Sequence, residues 1–163
     1  MGSTRANAFR RILWVALAAA VFVADQVTKA VVQRTIPEHT TVSVLPHFFN
    51  LIHTRNAGAA FGLFSDSPAP WKTVLLIVVS SLLLVMVIGV VWRSRQLRWE
   101  TGVGLGLILG GALSNLFDRI RLGRVVDFFD VYYRSYHWPT FNLADSAIVV
   151  GAGFVVFQLL FLE

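Results

Sequence analysis

Four aspartates are the side chains in this sequence best suited to chemistry. Asp118, Asp127, Asp130 and Asp145 fall within 28 residues, although the whole chain of 163 residues has only nine carboxylates. Two aspartates that face one water can hydrolyse an amide, because the ionised one takes a proton from the water while its protonated partner polarises the carbonyl. The sequence therefore predicts a hydrolytic pair in which Asp145 has Asp118, Asp127 or Asp130 as its partner.

Amide and arginine side chains lie near these aspartates at helical spacing. Asn142 and Asp145 are three residues apart, and Asn115 and Arg119 are four apart, so each pair shares a helix face. Simpler roles are also open. Asn142 and Asp145 could cap the start of a helix, and Asp118 and Arg119 could mark the membrane interface.

Two further groups of residues interrupt apolar or β-like sequence. Asp25 and Lys29 are spaced i and i+4 inside an apolar run, which predicts an ion pair that makes their charges tolerable there. The small-residue segment from Asn56 to Gly62 is typical of a tight turn that another part of the backbone approaches closely. An ordinary loop is the alternative for this segment.

Other chemistries have less support in the sequence. The four histidines are scattered without a metal-binding pattern, and cysteine is absent, so we expect neither a metal site nor a thiolate nucleophile. The sequence contains no nucleophile elbow and no phosphate-binding loop. The net charge of +5 comes without a basic helix or an aromatic-basic module, so nucleic acid is not an expected partner.

The elements that position these residues are predicted to be membrane helices. The chain is 56% hydrophobic and 14% charged with mean hydropathy +0.66, whereas soluble domains carry roughly a quarter charged residues. Apolar runs long enough to cross a bilayer predict an all-α integral membrane protein that forms one domain. The four predicted transmembrane helices cover about 12–32, 72–92, 102–118 and 141–162.

The polar stretches between the spans are predicted to lie on one side of the membrane. The segment of about 34–70 alternates between polar and apolar residues at 41–45 and again at 48–53, which predicts a small extramembrane β-sheet. The segment of about 119–140 is predicted to be an outer loop with a short structure that lies along the membrane surface. Both segments are expected on the outer face.

Arginine placement sets the expected orientation. Six arginines lie near the predicted cytoplasmic ends of the first three spans, which favours cytoplasmic N and C termini: Arg5, Arg10, Arg11, Arg93, Arg95 and Arg98. The outer segments also contain arginines, so the bias is incomplete.

Gly102, Gly106, Gly110 and Ser114 form a stripe of small residues in the third span. The stripe could close the chain's own helix bundle, which we favour, or bind a partner helix in a non-enzymatic assembly subunit. Carboxylates in spans also occur in transporters and proton channels. However, the apolar centres of spans two and three supply few polar residues for a path across the membrane.

Five motifs, in order over nearly the whole chain, resemble the lipoprotein signal peptidases of bacteria, the signal peptidase II family. They are Asp25-Gln26-Val27-Thr28-Lys29, Arg55-Asn56-Ala57-Gly58-Ala59-Ala60-Phe61, the stretch from Gly110 to Arg119, Val125-Val126-Asp127-Phe128, and Phe141-Asn142-Leu143-Ala144-Asp145-Ser146. One departure is Ser114, where the family usually has glycine. Serine is also small, so close helix packing is still expected.

The resemblance implies a four-helix aspartic peptidase of the bacterial inner membrane. It would cut lipid-modified prolipoproteins on the N-terminal side of a diacylglyceryl-modified cysteine, as a monomer among membrane lipids and without a metal or other cofactor. The family's catalytic aspartates map to Asp127 and Asp145. Its supporting residues map to Asn56, Gly58, Asn115, Arg119, Asn142, Ala144, Asp25 and Lys29. The β-rich segment of about 34–70 would be a small extramembrane β-rich cradle for the substrate, and the 119–140 segment would be a movable cover.

Overall fold

Four long helices organise the described part of the chain. The computed structural model describes residues 2–58, 70–94 and 97–161. Within them the helices are α1 (Gly2–Thr35), α2 (Pro70–Arg93), α3 (Trp99–Leu122) and α4 (Leu143–Phe161). Each is long and apolar enough to cross a membrane, which confirms the four predicted membrane helices. α1 and α3 extend well past the predicted bounds, and α2 extends past them by one or two residues at each end.

Glycines let α3 pack closely between α1 and α4. A Cβ atom on Gly110 would lie 2.5 Å from the carbonyl oxygen of Ala18 on α1. On the other side of α3, a Cβ atom on Gly111 would lie 2.4 Å from the carbonyl oxygen of Ala144 on α4. The stripe that includes Gly110 therefore contacts α1 of the same chain, which is the role we favoured from the sequence.

A four-stranded antiparallel sheet is formed by the described residues. Its strands are β1 (Thr41–Leu45), β2 (Phe49–Asn56), β3 (Val125–Tyr133) and β4 (Tyr136–His137), and they lie in that order across the sheet. β1 and β2 come from the alternating sequence between 34 and 70, so the small sheet predicted there is confirmed. Residues 59–69 of that segment, including Ala59, Ala60 and Phe61 of the second motif, lie outside the described residues.

The segment of about 119–140, expected as an outer loop, consists mostly of helix and strand. Residues up to Leu122 continue α3, and Gly123 ends the helix with a left-handed φ of 70°. The chain then enters β3, which pairs with β2 along most of its length. β3 lacks the usual alternation because both faces of its first half are buried, and this hid the strand in the sequence.

A small apolar core joins the sheet to the helices. Phe128 is fully buried against Val32 and Ile36 from the end of α1, and Leu143 at the start of α4 packs on the same cluster. The main-chain N–H groups of Phe128 and Phe129 also donate to the carbonyl oxygen of Phe141, just before α4. These contacts fix β3 against the end of α1 and the beginning of α4.

The opposite end of the bundle is held by an arginine. The guanidinium of Arg11 on α1 donates to the main-chain oxygens of Trp92 and Ser94 at 3.2 and 2.9 Å. Because these carbonyls lie at the C-terminal end of α2, they suit a positive charge. The beginning of α1 and the end of α2 therefore lie on one side, away from the sheet.

Candidate active site

Asp127 lies near the beginning of β3 and is deeply buried. It lies opposite Thr54 of β2, and only 1% of its surface is exposed. The side-chain amide of Asn56 donates to its Oδ2 at 3.0 Å, and that of Asn142 donates to its Oδ1 at 2.7 Å. Both carboxylate oxygens thus accept a hydrogen bond from a fixed amide.

Asp145 lies in the first turn of α4, and Asn142 caps that helix. Oδ1 of Asn142 accepts from the main-chain N–H of Asp145 at 2.8 Å, and Oδ2 of Asp145 accepts from the main-chain N–H of Asn142 at 3.4 Å. This reciprocal pair is a capping box. The capping role is therefore confirmed, yet the amide nitrogen of Asn142 remains available to bind Asp127.

Asn115 connects Asp145 to a buried cation. Its Nδ2 donates to Oδ1 of Asp145 at 2.7 Å, and its Oδ1 accepts from the ammonium of Lys29 at 3.0 Å. The amide of Asn142 also lies 3.3 Å from Oδ1 of Asn115. Asn115 and Asn142 therefore link the two aspartates to the end of α3.

Lys29 forms the predicted ion pair with Asp25 at 2.7 Å. The same ammonium also binds Asp118 at 2.7 Å, and all three residues are almost completely buried. Asp118 is therefore a buried partner of Lys29 near the end of α3.

The other expected site residues contact the same region. Asp25 accepts the main-chain N–H of Ala144 at 2.9 Å, which ties the start of α4 to α1. Arg119 donates to the carbonyl oxygen of Gly58 at 3.3 Å, and the N–H of Gly58 donates to Asn56 Oδ1 at 2.8 Å. These bonds hold the turn after β2 beside the end of α3.

The three possible partners of Asp145 have different surroundings. Asp118 is bound to Lys29. Asp130 is bound to Asn50 at 2.8 Å and to the His137 ring at 2.7 Å. Asp127 shares the side chain of Asn142 with Asp145. The geometry therefore brings Asp127 into one polar network with Asp145.

Burial makes Asp127 unusually basic for a carboxylate. Loss of hydration and, to a smaller extent, the negative charge of Asp145 raise the pKa of Asp127 to about 7. The amides of Asn56 and Asn142 and the charge of Lys29 act in the opposite direction and only partly offset the rise. An aspartate in this state can hold a proton near neutral pH.

An apolar cavity of about 460 Å³ opens beside Asp145. It lies between the segment 138–141 and the first turns of α4, with Ile148, Val149 and Val150 along its wall. The cavity therefore has the size and apolar lining to hold hydrocarbon or an apolar peptide segment beside Asp145.

Gln26 and Ser114 were not singled out as site residues from the sequence. Ser114 Oγ donates to Asp25 at 2.7 Å, and the amide of Gln26 donates to Ser114 Oγ at 2.9 Å and to Asp118 at 2.8 Å. Both are polar residues on apolar spans, and that alone could have identified them.

Comparisons with known proteins by family, sequence and structure agree with one another. Residues 17–161 match the family described as signal peptidase (SPase) II. A lipoprotein signal peptidase from Solibacter usitatus is 43% identical over 144 residues, which is 88% of this chain and 88% of the relative. One from Desulforapulum autotrophicum is 40% identical, with 93% of this chain and 94% of the relative covered. A solved bacterial membrane enzyme, 32% identical, superposes with a TM-score of 0.81 over 91% of this chain and 87% of its own.

Proposed function

Because the chain belongs to the signal peptidase II family, we propose that it is a membrane aspartic endopeptidase that removes signal peptides from prolipoproteins. Asp127 and Asp145 would be its catalytic residues. The observation that carries this assignment is the side chain of Asn142, which binds Asp127 through its nitrogen and Asp145 through its oxygen. One aspartate comes from the sheet and the other from α4.

The proposed reaction uses one proton shared by the two aspartates. Asp127, with its raised pKa, holds that proton and donates a hydrogen bond to the scissile carbonyl. Asp145, at the edge of the cavity, takes a proton from water, whose oxygen adds to the carbonyl carbon. The carbon–nitrogen bond then breaks as Asp145 passes the proton it took from water to the leaving nitrogen. Asp127 keeps the shared proton, and the products are a carboxylic acid and a free α-amine.

The bond cut is proposed to lie on the N-terminal side of a diacylglyceryl-modified cysteine. The family's activity and the apolar cavity beside Asp145 support a substrate that carries hydrocarbon. The supporting residues would hold the two carboxylates and the substrate backbone in place: Asn56, Gly58, Asn115, Arg119, Asn142, Ala144, Asp25 and Lys29. Membrane lipid and prolipoprotein are the proposed partners, and a monomer without a cofactor would suffice.

The family and the four apolar helices make this a multi-pass protein of the bacterial inner membrane. We further propose cytoplasmic termini and an active site towards the outer face. The positive charge near the beginning of α1 and the end of α2 supports this orientation.

The orientation is tested with a thiol probe that cannot cross membranes. The probe is applied to variants that carry a single introduced cysteine, either near Arg10 or in β1. Labelling of the β1 cysteine alone in intact spheroplasts is expected, and labelling of the Arg10 cysteine alone would reverse the orientation.

Cleavage of a defined precursor tests the proposed activity. Purified protein in detergent is incubated with a diacylglyceryl-modified precursor and, separately, with the same precursor lacking the lipid. We expect the modified precursor alone to give a product that begins at the lipidated cysteine, identified by mass spectrometry. Failure to cut the modified precursor, or equal cutting of both, would contradict the proposal.

A further inference from the structure

Asp118, Gln26 and Ser114 form a buried polar group that the proposed reaction does not use directly. Asp118 is 3% exposed on α3, and its carboxylate binds the Lys29 ammonium of α1 at 2.7 Å. Gln26 holds the other oxygen of Asp118 at 2.8 Å. Burying a second carboxylate next to one lysine is costly, so a role beyond simple charge pairing is worth seeking.

The Lys29 ammonium has three N–H groups and three acceptors. It lies 2.7 Å from Asp25, 2.7 Å from Asp118 and 3.0 Å from Oδ1 of Asn115. An ammonium with all three donors engaged has a fixed rotation about its last carbon–nitrogen bond. Asp118 and Asp25 together therefore aim the third N–H of Lys29 at Asn115.

The ammonium in turn decides which way the Asn115 amide faces. An ammonium can only donate and an ionised carboxylate can only accept. With Oδ1 turned to Lys29, the NH₂ group of Asn115 faces Asp145 and donates at 2.7 Å. The reverse orientation would place two donors together at Lys29 and two acceptors together at Asp145.

We propose that Asp118 is a positioning residue for the catalytic pair: it holds the Lys29 ammonium so that Asn115 presents its N–H groups to Asp145. This inference rests on the proposed function. Asp118 does not touch the reacting atoms and acts through Lys29 and Asn115. Gln26 assists by fixing the second oxygen of Asp118.

Asp118→Asn tests the proposal with Asp130→Asn as a matched control. Asp130 is a second buried carboxylate, 4% exposed, but its partners are Asn50 and His137. For Asp118→Asn we expect kcat for precursor cleavage to fall roughly ten- to one-hundred-fold, because a misplaced catalytic group slows the chemical step by about this much. The change in KM should be small. Asp130→Asn should retain kcat even where it lowers the melting temperature.

The pH profile separates positioning from a loss of stability. Without Asp118 the charge of Lys29 is less neutralised, and a nearby positive charge favours ionised Asp127. The alkaline limb of activity should therefore move to lower pH in Asp118→Asn and stay in place in Asp130→Asn. A change in amplitude alone, equal in both variants, would overturn the proposal.

A double-mutant cycle with Asn115→Ala gives the most specific result. If Asp118 acts through Asn115, adding Asp118→Asn to Asn115→Ala should reduce kcat no further. Multiplicative losses would overturn the proposal. Should Asp118→Asn not fold, Gln26→Met in the same cycle is expected to show the same non-additivity, and additivity there counts against the proposal. Cleavage by the wild-type protein is measured in the same experiment. If the wild-type protein does not cut the precursor, the proposed function itself is contradicted. If the wild-type protein cuts it and Asp118→Asn has the same kcat, only this inference is contradicted.

Discussion

Asn142 donates a hydrogen bond of 2.7 Å from its side-chain amide to the carboxylate of Asp127. The oxygen of the same side chain caps α4 by accepting the main-chain N–H of Asp145 at 2.8 Å. One residue therefore sets both the start of the fourth helix and the relation between the two proposed catalytic aspartates. Its two functions can be separated by substitution.

Asn142→Ser should keep the cap but lose the bond to Asp127, whereas Asn142→Ala should lose both. Serine caps helices well, and loss of a cap costs about 1 kcal/mol. We therefore expect the alanine variant to unfold at lower temperature than the serine variant, with kcat strongly reduced in both. Thermal unfolding in detergent and precursor cleavage measure the two effects. Full activity of Asn142→Ser would show that its contact with Asp127 is unimportant.

The raised pKa of Asp127 predicts a specific pH dependence. The proposed reaction needs one protonated and one ionised aspartate, and the pair titrates as a unit. Since the pKa of Asp127 is raised to about 7, activity should fall as the pH rises through about 7 and the shared proton is lost. Initial rates from pH 5 to 9 measure this limb. Activity that keeps rising above pH 8 would be inconsistent with a proton held on Asp127.

Close packing at Gly111 is expected to be essential for the site. A Cβ atom there would lie 2.4 Å from the carbonyl oxygen of Ala144, the residue before Asp145, so Gly111→Ala must push α4 away from α3. Overpacking of this kind costs about 1–3 kcal/mol. Gly153→Ala is the matched control, because a Cβ atom there meets nothing within 4 Å. We expect a lower melting temperature and reduced cleavage for Gly111→Ala only; equal behaviour of the two variants would refute the packing explanation.

Much of the helical frame could be predicted from sequence because hydrophobic runs of bilayer length have few alternative structures. The Asp25–Lys29 pair followed from its i, i+4 spacing on one helix. The close approach of α3 to α1 followed from the repeated small residues. Each of these features depends on local residue spacing or composition, which can be read directly from the sequence.

The third strand and the contact between Asp118 and Lys29 could not be predicted in the same way. The first half of β3 is buried on both faces, so polar and apolar residues do not alternate along it. Without this alternation, the sequence does not indicate a strand. Asp118 meets Lys29 across two helices, a contact separated by 89 positions that no local spacing reveals. Residue spacing likewise left the partner of Asp145 open between three aspartates, because the answer depends on how the sheet docks against α4.

Cleavage should survive removal of divalent metal ions. In the proposed reaction a proton on one aspartate polarises the carbonyl, so no step requires a metal ion. Precursor cleavage in excess EDTA is expected to match that in untreated enzyme. Loss of activity that returns on addition of a divalent metal would contradict the two-aspartate reaction.

The central claim is tested most directly by the cleavage rates of Asp127→Asn and Asp145→Asn on a diacylglyceryl-modified precursor, with Asp130→Asn as the matched control. Melting temperatures establish that each variant is folded. We predict that both Asp127→Asn and Asp145→Asn lose cleavage by several orders of magnitude while Asp130→Asn continues to cut. Retained cleavage by folded Asp127→Asn or folded Asp145→Asn would contradict the assignment of these two aspartates as the catalytic pair.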